Sequence, residues 1–336
     1  MGRAFIERLK PAPRAGGFRM EGYWVWCGSA IRGEDGRYHL FASRWPSALP
    51  MIPHWLTNSE VVRAVADRPE GPYAFEEVVL PPRAAAWDGR MTHNPTIHKR
   101  GDTFLLFYTG TTYTGPTPEP GRLCTKEMRL EARANQRIGV ATSKSVRGPW
   151  TRLDRPVLEP RPGKWDGLMT TNPAPCVNPD GSIYLIYKST AREGDLLRMG
   201  AARAARPEGP YERVRDESLF AWDETRDHVE DAYVWRTPEG YELLMKDMRG
   251  GICGERGGGI HARSKDGADW TLTQPPLAYS RKVRWDDGTT TEQTHLERPQ
   301  LLIENGRPTH LIAATSRGDA ANPFQESWTL VIPLEA

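Results

Sequence analysis

"AWDGRMTHNP" at residues 86–95 is repeated with small changes as "KWDGLMTTNP" at residues 164–173. A turn alone would explain Asp-Gly, but it would not explain Trp-Asp-Gly, Met-Thr and Asn-Pro in one register. Self-similarity of this kind is the sequence signature of repeat architectures. The pair therefore indicates either repeated structural units or two loops that serve one chemical task.

Two further signals recur along the chain. "GPY" or "GPW" ends at Tyr73, Trp150 and Tyr211, and a degenerate copy, "GIHARSKDGADW", ends at Trp270. Each copy follows a small-apolar or alternating run, which is typical of a strand that closes in a turn. Asp-Gly or Asn-Gly between β-rich runs is a strong hairpin signal. Five such turns or close variants are present: Asp35-Gly36, Gly101-Asp102, Asp180-Gly181, Glu239-Gly240 and Asn305-Gly306.

These signals predict an all-β fold, a five-bladed β-propeller whose blades each hold about four antiparallel strands around a central pocket. The blades' first strands are aligned at Ser29, Pro95, Pro173, Ala232 and Pro299. A β-sandwich or two separate β-domains would be the alternative. We expect one domain over residues 1–336, with an insertion at about 110–136 in which "TKEMRLEARANQ" (125–136) predicts a helix. The N-terminal "RAFIERL" is expected to supply the strand that the last blade lacks.

The composition narrows the classes of partner. Lys and Arg number 45 against 43 Asp and Glu, so there is no basic face to favour nucleic acid or an anionic membrane. Four distant cysteines predict neither a zinc site nor a disulfide framework. No apolar run is long enough to span a bilayer. The sequence as it stands predicts a cytoplasmic protein, or a periplasmic or secreted one if a signal peptide has been removed.

In a propeller the starts of the first strands face the central pocket, and polar side chains gather there in this sequence. Trp-Asp pairs precede them at Trp87, Trp165, Trp222 and Trp285, for which packing between blades is the favoured interpretation. No phosphate-binding loop, nucleophile elbow or His-Glu-x-x-His is present. Carboxylates and tryptophans suit hydroxyl-rich sugars, and glycoside hydrolysis requires two carboxyl groups across the scissile bond. The polar residues near the strand starts are His93, Asn94, Thr171, Asn172, His228, Glu230, Asp231, His295, Glu297 and Arg298.

"HNPTI" (93–97), "TNPAP" (171–175), "VEDAYVW" (229–235), "LERPQ" (296–300) and the Gly-Pro-aromatic turns give the whole chain a family resemblance. It resembles the five-bladed propeller glycoside hydrolases, the group that includes families 43, 62, 32, 68 and 117. The resemblance implies that Glu230 matches a catalytic fourth-blade glutamate. It also shows departures, because Gly28 stands where families 43 and 32 have a catalytic Asp, and Asn172 replaces the third-blade Asp. Family 117 uses a histidine as acid, which His93, His228 or His295 could supply.

The predicted site follows from these positions. Neighbouring strand residues point oppositely, so one of Glu230 and Asp231 is expected to support the other rather than react. No cofactor is expected to be required, although the resemblance implies that a central divalent metal ion could be held partly by a channel histidine. The predicted catalytic residues are Asp231, Glu230, Glu297, His93 and Glu21. The predicted substrate-binding residues are Asn94, Asn172, Arg298, Arg44, Trp45, Trp87, Trp165, Lys188, Lys246 and His295.

The predicted function is that of an exo-acting glycoside hydrolase that removes a terminal sugar from an oligosaccharide by acid/base catalysis, with a histidine as a further candidate acid. A phosphorolytic relative is one alternative, since Arg44, Arg298, Lys188 or Lys246 could form a phosphate pocket. A sugar-binding propeller without catalysis is another. We expect an oligosaccharide or glycoside as partner, and the sequence leaves a homo-oligomer open.

Overall fold

Each of the five hairpin signals connects two antiparallel strands in the computed structural model, which describes residues 3–220 and 228–335. The strands form successive meandering sheets, as the sequence predicts. Blade one contains β1 (Tyr23–Arg32), β2 (Tyr38–Pro46), β3 (Glu60–Ala66) and β4 (Ala74–Leu80), and blade two contains β5 (Met91–Arg100), β6 (Thr103–Thr111), β7 (Arg137–Ser143) and β8 (Thr151–Arg152). Blade three contains β9 (Thr171–Val177), β10 (Ile183–Ser189), β11 (Arg198–Ala204) and β12 (Glu212–Arg213). Blade four contains β13 (Val229–Thr237), β14 (Gly240–Asp247), β15 (Gly259–Ser264) and β16 (Thr271–Tyr279). A small hairpin, β17 (Lys282–Arg284) and β18 (Thr290–Glu292), precedes blade five, which contains β19 (His295–Glu304), β20 (Arg307–Arg317) and β21 (Glu326–Pro333).

The first strand of each blade lies at the centre of the molecule. β1, β5, β9, β13 and β19 contact one another in that order, and β19 returns to contact β1. The five sheets therefore close into a ring, which confirms the predicted five-bladed β-propeller. The apolar core lies between neighbouring sheets. Phe41 and Val61 of blade one, for example, pack in one cluster with Phe104, Leu106 and Tyr108 of blade two.

The fifth sheet has three strands among the described residues, and the N-terminal segment lies beside its outer strand. The predicted strand "RAFIERL" is wrong, because Phe5–Arg8 form a 3-10 helix. The closing contacts come just after it. The Lys10 amide donates to the Pro333 carbonyl (2.9 Å), and Phe18 and Thr329 exchange two backbone hydrogen bonds (2.9 and 3.0 Å). The N-terminal segment thus closes the ring, though with other residues than the sequence suggested.

The predicted insertion contains the expected helix, α2 (Lys126–Ala134), whose N-cap Thr125 accepts a hydrogen bond from the Met128 amide. A second short helix, α1 (Met51–Asn58), connects β2 to β3 and was not predicted. The insertion packs against α1, since the Tyr113 hydroxyl donates to the Thr57 carbonyl at 2.9 Å. No helix among the described residues is long and apolar enough to cross a membrane.

The Trp-Asp pairs at Trp87 and Trp165 are structural, and the prediction that these two tryptophans bind substrate is wrong. Trp87 stacks on Tyr108 (5.7 Å between ring centroids) and Trp165 stacks on Tyr187 (6.0 Å), both between neighbouring sheets. The aspartate that follows each tryptophan is fully buried and bound by two arginines and the same tyrosine. The pair at Trp222 lies outside the described residues.

Candidate active site

A β-bulge interrupts the first strand of every blade at the same place. At each bulge two successive residues of the first strand have no partner in the second strand. The first of these two residues has a positive φ between 50° and 62°. This left-handed conformation is uncommon outside glycine, and asparagine and aspartate tolerate it best. The five residues are Cys27, Asn94, Asn172, Asp231 and Arg298.

These five side chains make a chain of contacts around the propeller axis. The Cys27 thiol donates to Asn94 Oδ1 (2.7 Å), and Asn94 Nδ2 donates to Asn172 Oδ1 (2.7 Å). Asn172 Nδ2 donates to Asp231 Oδ1 (2.7 Å), and the Arg298 backbone amide donates to Asp231 Oδ2 (3.3 Å). Each donor points towards Asp231, so the network fixes the orientation of both amides. We call these five residues the axial ring.

The axial ring corrects the alignment of blade one. Cys27, not Gly28, is the equivalent of Asn94, because the alignment from the sequence was displaced by one residue. Gly28 faces the neighbouring strand, where an added Cβ would lie 2.4 Å from the side chain of Thr329. Burial raises the pKa of the Cys27 thiol to about 12, so it is a neutral hydrogen-bond donor. No carboxylate stands at the first-blade position.

A small cavity of about 160 Å³ lies at the axis. We call it the inner cavity. Its lining combines polar side chains with tryptophans and with residues from α1 and the loop before β21. This volume is small for a ligand site, since pockets that bind small molecules usually enclose about 300–1,000 Å³. Its lining is Trp26, Trp45, Met51, Ile52, Trp55, His93, Asn94, Asn172, Lys188, Glu230, Asp231, Glu297, Arg298 and Phe324.

A larger, open cleft of about 840 Å³ adjoins the inner cavity above blades four and five. We call it the outer cleft. It contains the predicted residues Lys246 and His295. Glu230 and Glu297 line both spaces, as do the apolar side chains of Ile52 and Phe324. The two glutamates therefore stand at the junction where a ligand would pass from one space to the other.

A third carboxyl group, that of Asp231 in the inner cavity, lies beside the two glutamates of the junction. Glu230, Asp231 and Glu297 each place an oxygen within 4.8 Å of the others. Lys188 Nζ lies 2.8 Å from Glu230, and Lys246 Nζ lies 3.6 Å from Glu230 and also pairs with Glu297. The expectation that Glu230 and Asp231 point to opposite faces is wrong. The bulge at Asp231 breaks the alternation of the strand and brings both side chains to the inner cavity.

The two adjacent carboxyl groups differ in protonation. Burial, and then the negative charge of Glu230, raises the pKa of Asp231. Burial also opposes ionisation of Glu230, but the ammonium groups of Lys188 and Lys246 outweigh it and hold the pKa of Glu230 below its ordinary value. Asp231 is therefore the group that retains a proton in mildly acidic solution, while Glu230 is ionised.

The histidines at the site are neutral. Burial, with Arg298 and Lys188 nearby, lowers the pKa of His93 well below its ordinary value, and its Nδ1 lies 2.8 Å from the Ser59 hydroxyl. Burial and Lys246 lower the pKa of His295 to about 4. Its ring stacks on Phe324 at 4.5 Å. A histidinium acid is therefore not supported at either position, although both imidazoles can still form hydrogen bonds with a ligand.

Two other predicted residues lie elsewhere. Glu21 is exposed in the turn before β1 and adds no carboxylate to the site. Arg44 points away from the cavity, since alternation places its neighbour Trp45 inwards. It pairs with Glu60 at 2.9 Å and lies over the rings of Tyr23 and Phe75. Both predictions are wrong because Glu21 lies in an exposed turn outside the strand and Arg44 lies on the face of β2 that points away from the cavity.

The structure also adds residues that the sequence did not predict. Cys27 was missed through the displaced alignment of blade one, although "EGYWVWCGS" contains it. Trp55, Met51 and Ile52 belong to α1, whose eight residues contain a proline and lack a clear helical pattern. Phe324 comes from an irregular loop between β20 and β21.

A resident divalent cation does not fit this cluster well. The three carboxyl groups already face Lys188, Lys246 and Arg298, so a metal ion would have to displace ammonium groups to reach them. Neither His93 nor His295 belongs to a three-residue metal-binding group among the described residues.

No protein-family model and no curated protein sequence matches the chain. Solved structures match it over almost the whole length. A family 117 glycoside hydrolase of the marine bacterium Zobellia galactanivorans is 17% identical with a TM-score of 0.65, over 97% of this chain and 88% of that one. A thermostable family-43 glycoside hydrolase is 13% identical with a TM-score of 0.63, over 97% and 93%. The catalytic domain of a family 62 α-L-arabinofuranosidase of Coprinopsis cinerea is 13% identical with a TM-score of 0.63, over 97% and 96%.

At these identities the likeness shows the fold. The chain has the five-bladed propeller architecture found in glycoside hydrolases of families 117, 43 and 62, which confirms the resemblance inferred from the strand-start motifs.

Proposed function

We propose that this protein is a glycoside hydrolase that removes a terminal sugar from an oligosaccharide. The observation that carries the proposal is the group of three carboxyl groups within 4.8 Å, at the junction of a small cavity and an open cleft. A terminal sugar in the inner cavity and the rest of the substrate in the outer cleft would place the glycosidic bond beside Glu230 and Glu297. The small inner cavity supports exo action.

The roles follow from the charges. Glycoside hydrolysis needs one carboxyl group that is protonated and one that is ionised. A carboxyl group whose surroundings raise its pKa is suited to the role of acid, and Asp231 is such a group. Asp231, which retains its proton, is the proposed acid that protonates the leaving oxygen. Glu297, in its ion pair with Lys246, is the proposed base or nucleophile. Glu230, which lies beside Lys188 and Lys246, has a supporting role, because its negative charge helps to raise the pKa of Asp231.

The aromatic wall of the inner cavity suits the apolar face of a sugar ring. Trp26 and Trp55 line it together with the amides of Asn94 and Asn172, whereas the side chain of Trp45 is fully buried. Asparagine and carboxylate side chains offer hydrogen bonds to hydroxyl groups. This combination of aromatic and polar side chains in one lining supports a carbohydrate ligand over an apolar one.

The assignment of Asp231 is tested with aryl glycosides that differ in leaving group. An acid is needed most when the leaving group is poor, so Asp231→Asn should lose about 10²–10⁴-fold in kcat/KM with a poor leaving group and much less with a dinitrophenyl group. Glu297→Gln should lose activity with both. If Glu230→Gln instead shows the dependence on leaving group, the acid is Glu230 and the assignment to Asp231 is wrong.

A further inference from the structure

Arg298 of the axial ring is a buried cation without hydrogen-bond partners. Its side chain is 3% exposed, and Nε, Nη1 and Nη2 form no hydrogen bond within the described residues. The nearest carboxylate oxygen is Asp231 Oδ1, 3.5 Å from Nη1. Guanidinium has five N–H donors, and a buried charge without partners is costly. The group lines the inner cavity, so oxygen atoms of a ligand there would lie within its reach.

Asp231 does not satisfy this guanidinium. Its Oδ1 accepts a hydrogen bond from Asn172 Nδ2 at 2.7 Å, and its Oδ2 accepts one from the Arg298 backbone amide. The raised pKa of Asp231, caused mainly by burial, also means that this carboxyl retains a proton in mildly acidic solution. Under those conditions the charge of Arg298 is not balanced by its neighbour.

The other cations at the junction are already occupied. Lys188 pairs with Glu230 at 2.8 Å, and Lys246 pairs with Glu297. Of the cations in the described lining of the inner cavity, Arg298 therefore has the longer ion pair, at 3.5 Å from Asp231 Oδ1, and its guanidinium makes no hydrogen bond. When Asp231 is protonated, Lys188, Lys246 and Arg298 face only the two charged glutamates, so the cluster can accept one further negative charge.

We propose that the sugar held in the inner cavity carries a carboxylate, as a uronic acid residue does, and that Arg298 binds this carboxylate. The inference rests on the proposed glycosidase function and names its substrate class. The planar fork of arginine matches the two oxygens of a carboxylate. A separate phosphate ion fits less well, because a cavity of about 160 Å³ would have to hold it beside the ring. Three carboxyl groups within 4.8 Å of one another would also repel a dianion more than a monoanion.

The test compares matched aryl glycosides that differ only at C6: glucuronide with glucoside, and galacturonide with galactoside. The wild-type protein should prefer a uronide over its neutral partner by about 100-fold or more in kcat/KM, as expected for a buried charge pair. Arg298→Gln should bring the two rates to within about 10-fold, and Arg298→Lys should fall between. The matched control is Arg307→Gln, an exposed arginine of the same blade, which should keep the wild-type preference. A wild-type preference for the neutral sugars overturns the proposal even if the Arg298 variants do not fold.

Calorimetry with glucuronate, glucose and inorganic phosphate separates this inference from the proposed function. If glucuronate binds to the wild type and this binding is lost in Arg298→Gln, the acidic-sugar site is supported. If at the same time no glycoside is hydrolysed, only the glycosidase function is refuted. Hydrolysis of neutral glycosides with no binding of glucuronate overturns the acidic-sugar site and leaves the glycosidase function standing. Binding of phosphate through Arg298, without binding of glucuronate, also overturns it and favours a phosphorolytic reaction.

Discussion

At the scale of single residues, Glu230 and Asp231 are neighbours in the chain, yet their surroundings shift their acidities in opposite directions. Two ammonium groups favour the charged form of Glu230, whereas Asp231 lies deeper and beside that charge. The difference depends on the bulge at Asp231, which turns both side chains into one cavity. The positive φ of one residue thus sets the electrostatics of the site.

The raised pKa of Asp231 predicts how stability changes with pH. The folded protein binds this proton more tightly than the unfolded chain, so Asp231 makes stability fall as the pH rises from its ordinary pKa through about 6. Asp231→Asn has no proton to lose in this range. We therefore expect the melting temperature of the variant to rise relative to wild type between pH 4 and pH 7.

The melting temperatures are best measured by scanning calorimetry with Asp154→Asn as control, since the side chain of Asp154 is fully exposed. The control should follow the wild-type curve. An Asp231→Asn curve that stays parallel to wild type across the range would show that the Asp231 pKa is not raised.

Cys27 is expected to act as a positioning residue through the axial ring. Cys27→Ala removes the donor to Asn94 Oδ1, so the two amides lose their fixed orientation and kcat/KM should fall by about 10-fold. Cys27→Ser keeps a donor and should restore most of the activity. Cys176→Ala, a buried cysteine outside the ring, is the matched control for lost packing. Equal effects of Cys27→Ala and Cys27→Ser on kcat/KM would contradict the role of the hydrogen bond.

Much of the candidate site could be predicted at this scale, because the strand starts repeat. Asn94, Asn172, Glu230, Asp231 and Glu297 all lie where the repeat placed them. The positions of Cys27, Glu21 and Arg44 could not be read correctly. Cys27 was missed because the alignment of blade one was displaced by one residue. Glu21 and Arg44 were assigned from their place in the repeat, which does not show where a side chain points.

At the scale of elements, the Trp-Asp segments hold neighbouring strands together beneath the site. Asp88 is fully buried between Arg83 and Arg152. Removing one partner of such a group leaves buried charge uncompensated. We expect Asp88→Ala to lower the free energy of unfolding by about 3 kcal/mol, without a direct effect on KM.

Urea denaturation checks this prediction against Asp154→Ala. Asp154 also faces Arg83, at 3.4 Å, but it is exposed, so its removal should cost less than about 1 kcal/mol. Similar losses for the two variants would show that the buried pair is not a major source of stability.

At its exposed end, near Ile52, helix α1 is expected to contribute to substrate binding rather than to the stability of the fold. Ile52 is 60% exposed and lines both the inner cavity and the outer cleft. Ile52→Ser should raise KM by up to about 10-fold through lost apolar contact, with little change in kcat or melting temperature. Leu123→Ser, an exposed apolar residue of the insertion, should change none of these. A fall in melting temperature with unchanged KM would assign Ile52 a structural role instead.

At the scale of the whole molecule, the five-bladed ring could be predicted from the sequence because each blade repeats the same hairpin and turn. The closure of the ring was predicted less well. The N-terminal segment joins β21 through backbone hydrogen bonds at Lys10 and Phe18 rather than through a regular strand. Such contacts depend on the tertiary position of the segment and leave no periodic pattern. Helix α1 was not predicted for a similar reason, because its conformation depends on its tertiary position rather than on a helical pattern in its short sequence.

The first strands of the five blades meet at the propeller axis, and the proposed reaction takes place there. The central claim is that the carboxyl groups of blades four and five cleave a glycosidic bond there. The most direct measurement is kcat/KM of wild type, Asp231→Asn and Glu297→Gln on a panel of aryl glycosides, with circular dichroism to confirm that each variant is folded. We predict hydrolysis by the wild type and a loss of at least about 100-fold in each variant with a poor leaving group. Folded variants that both retain the full wild-type rate would contradict the account.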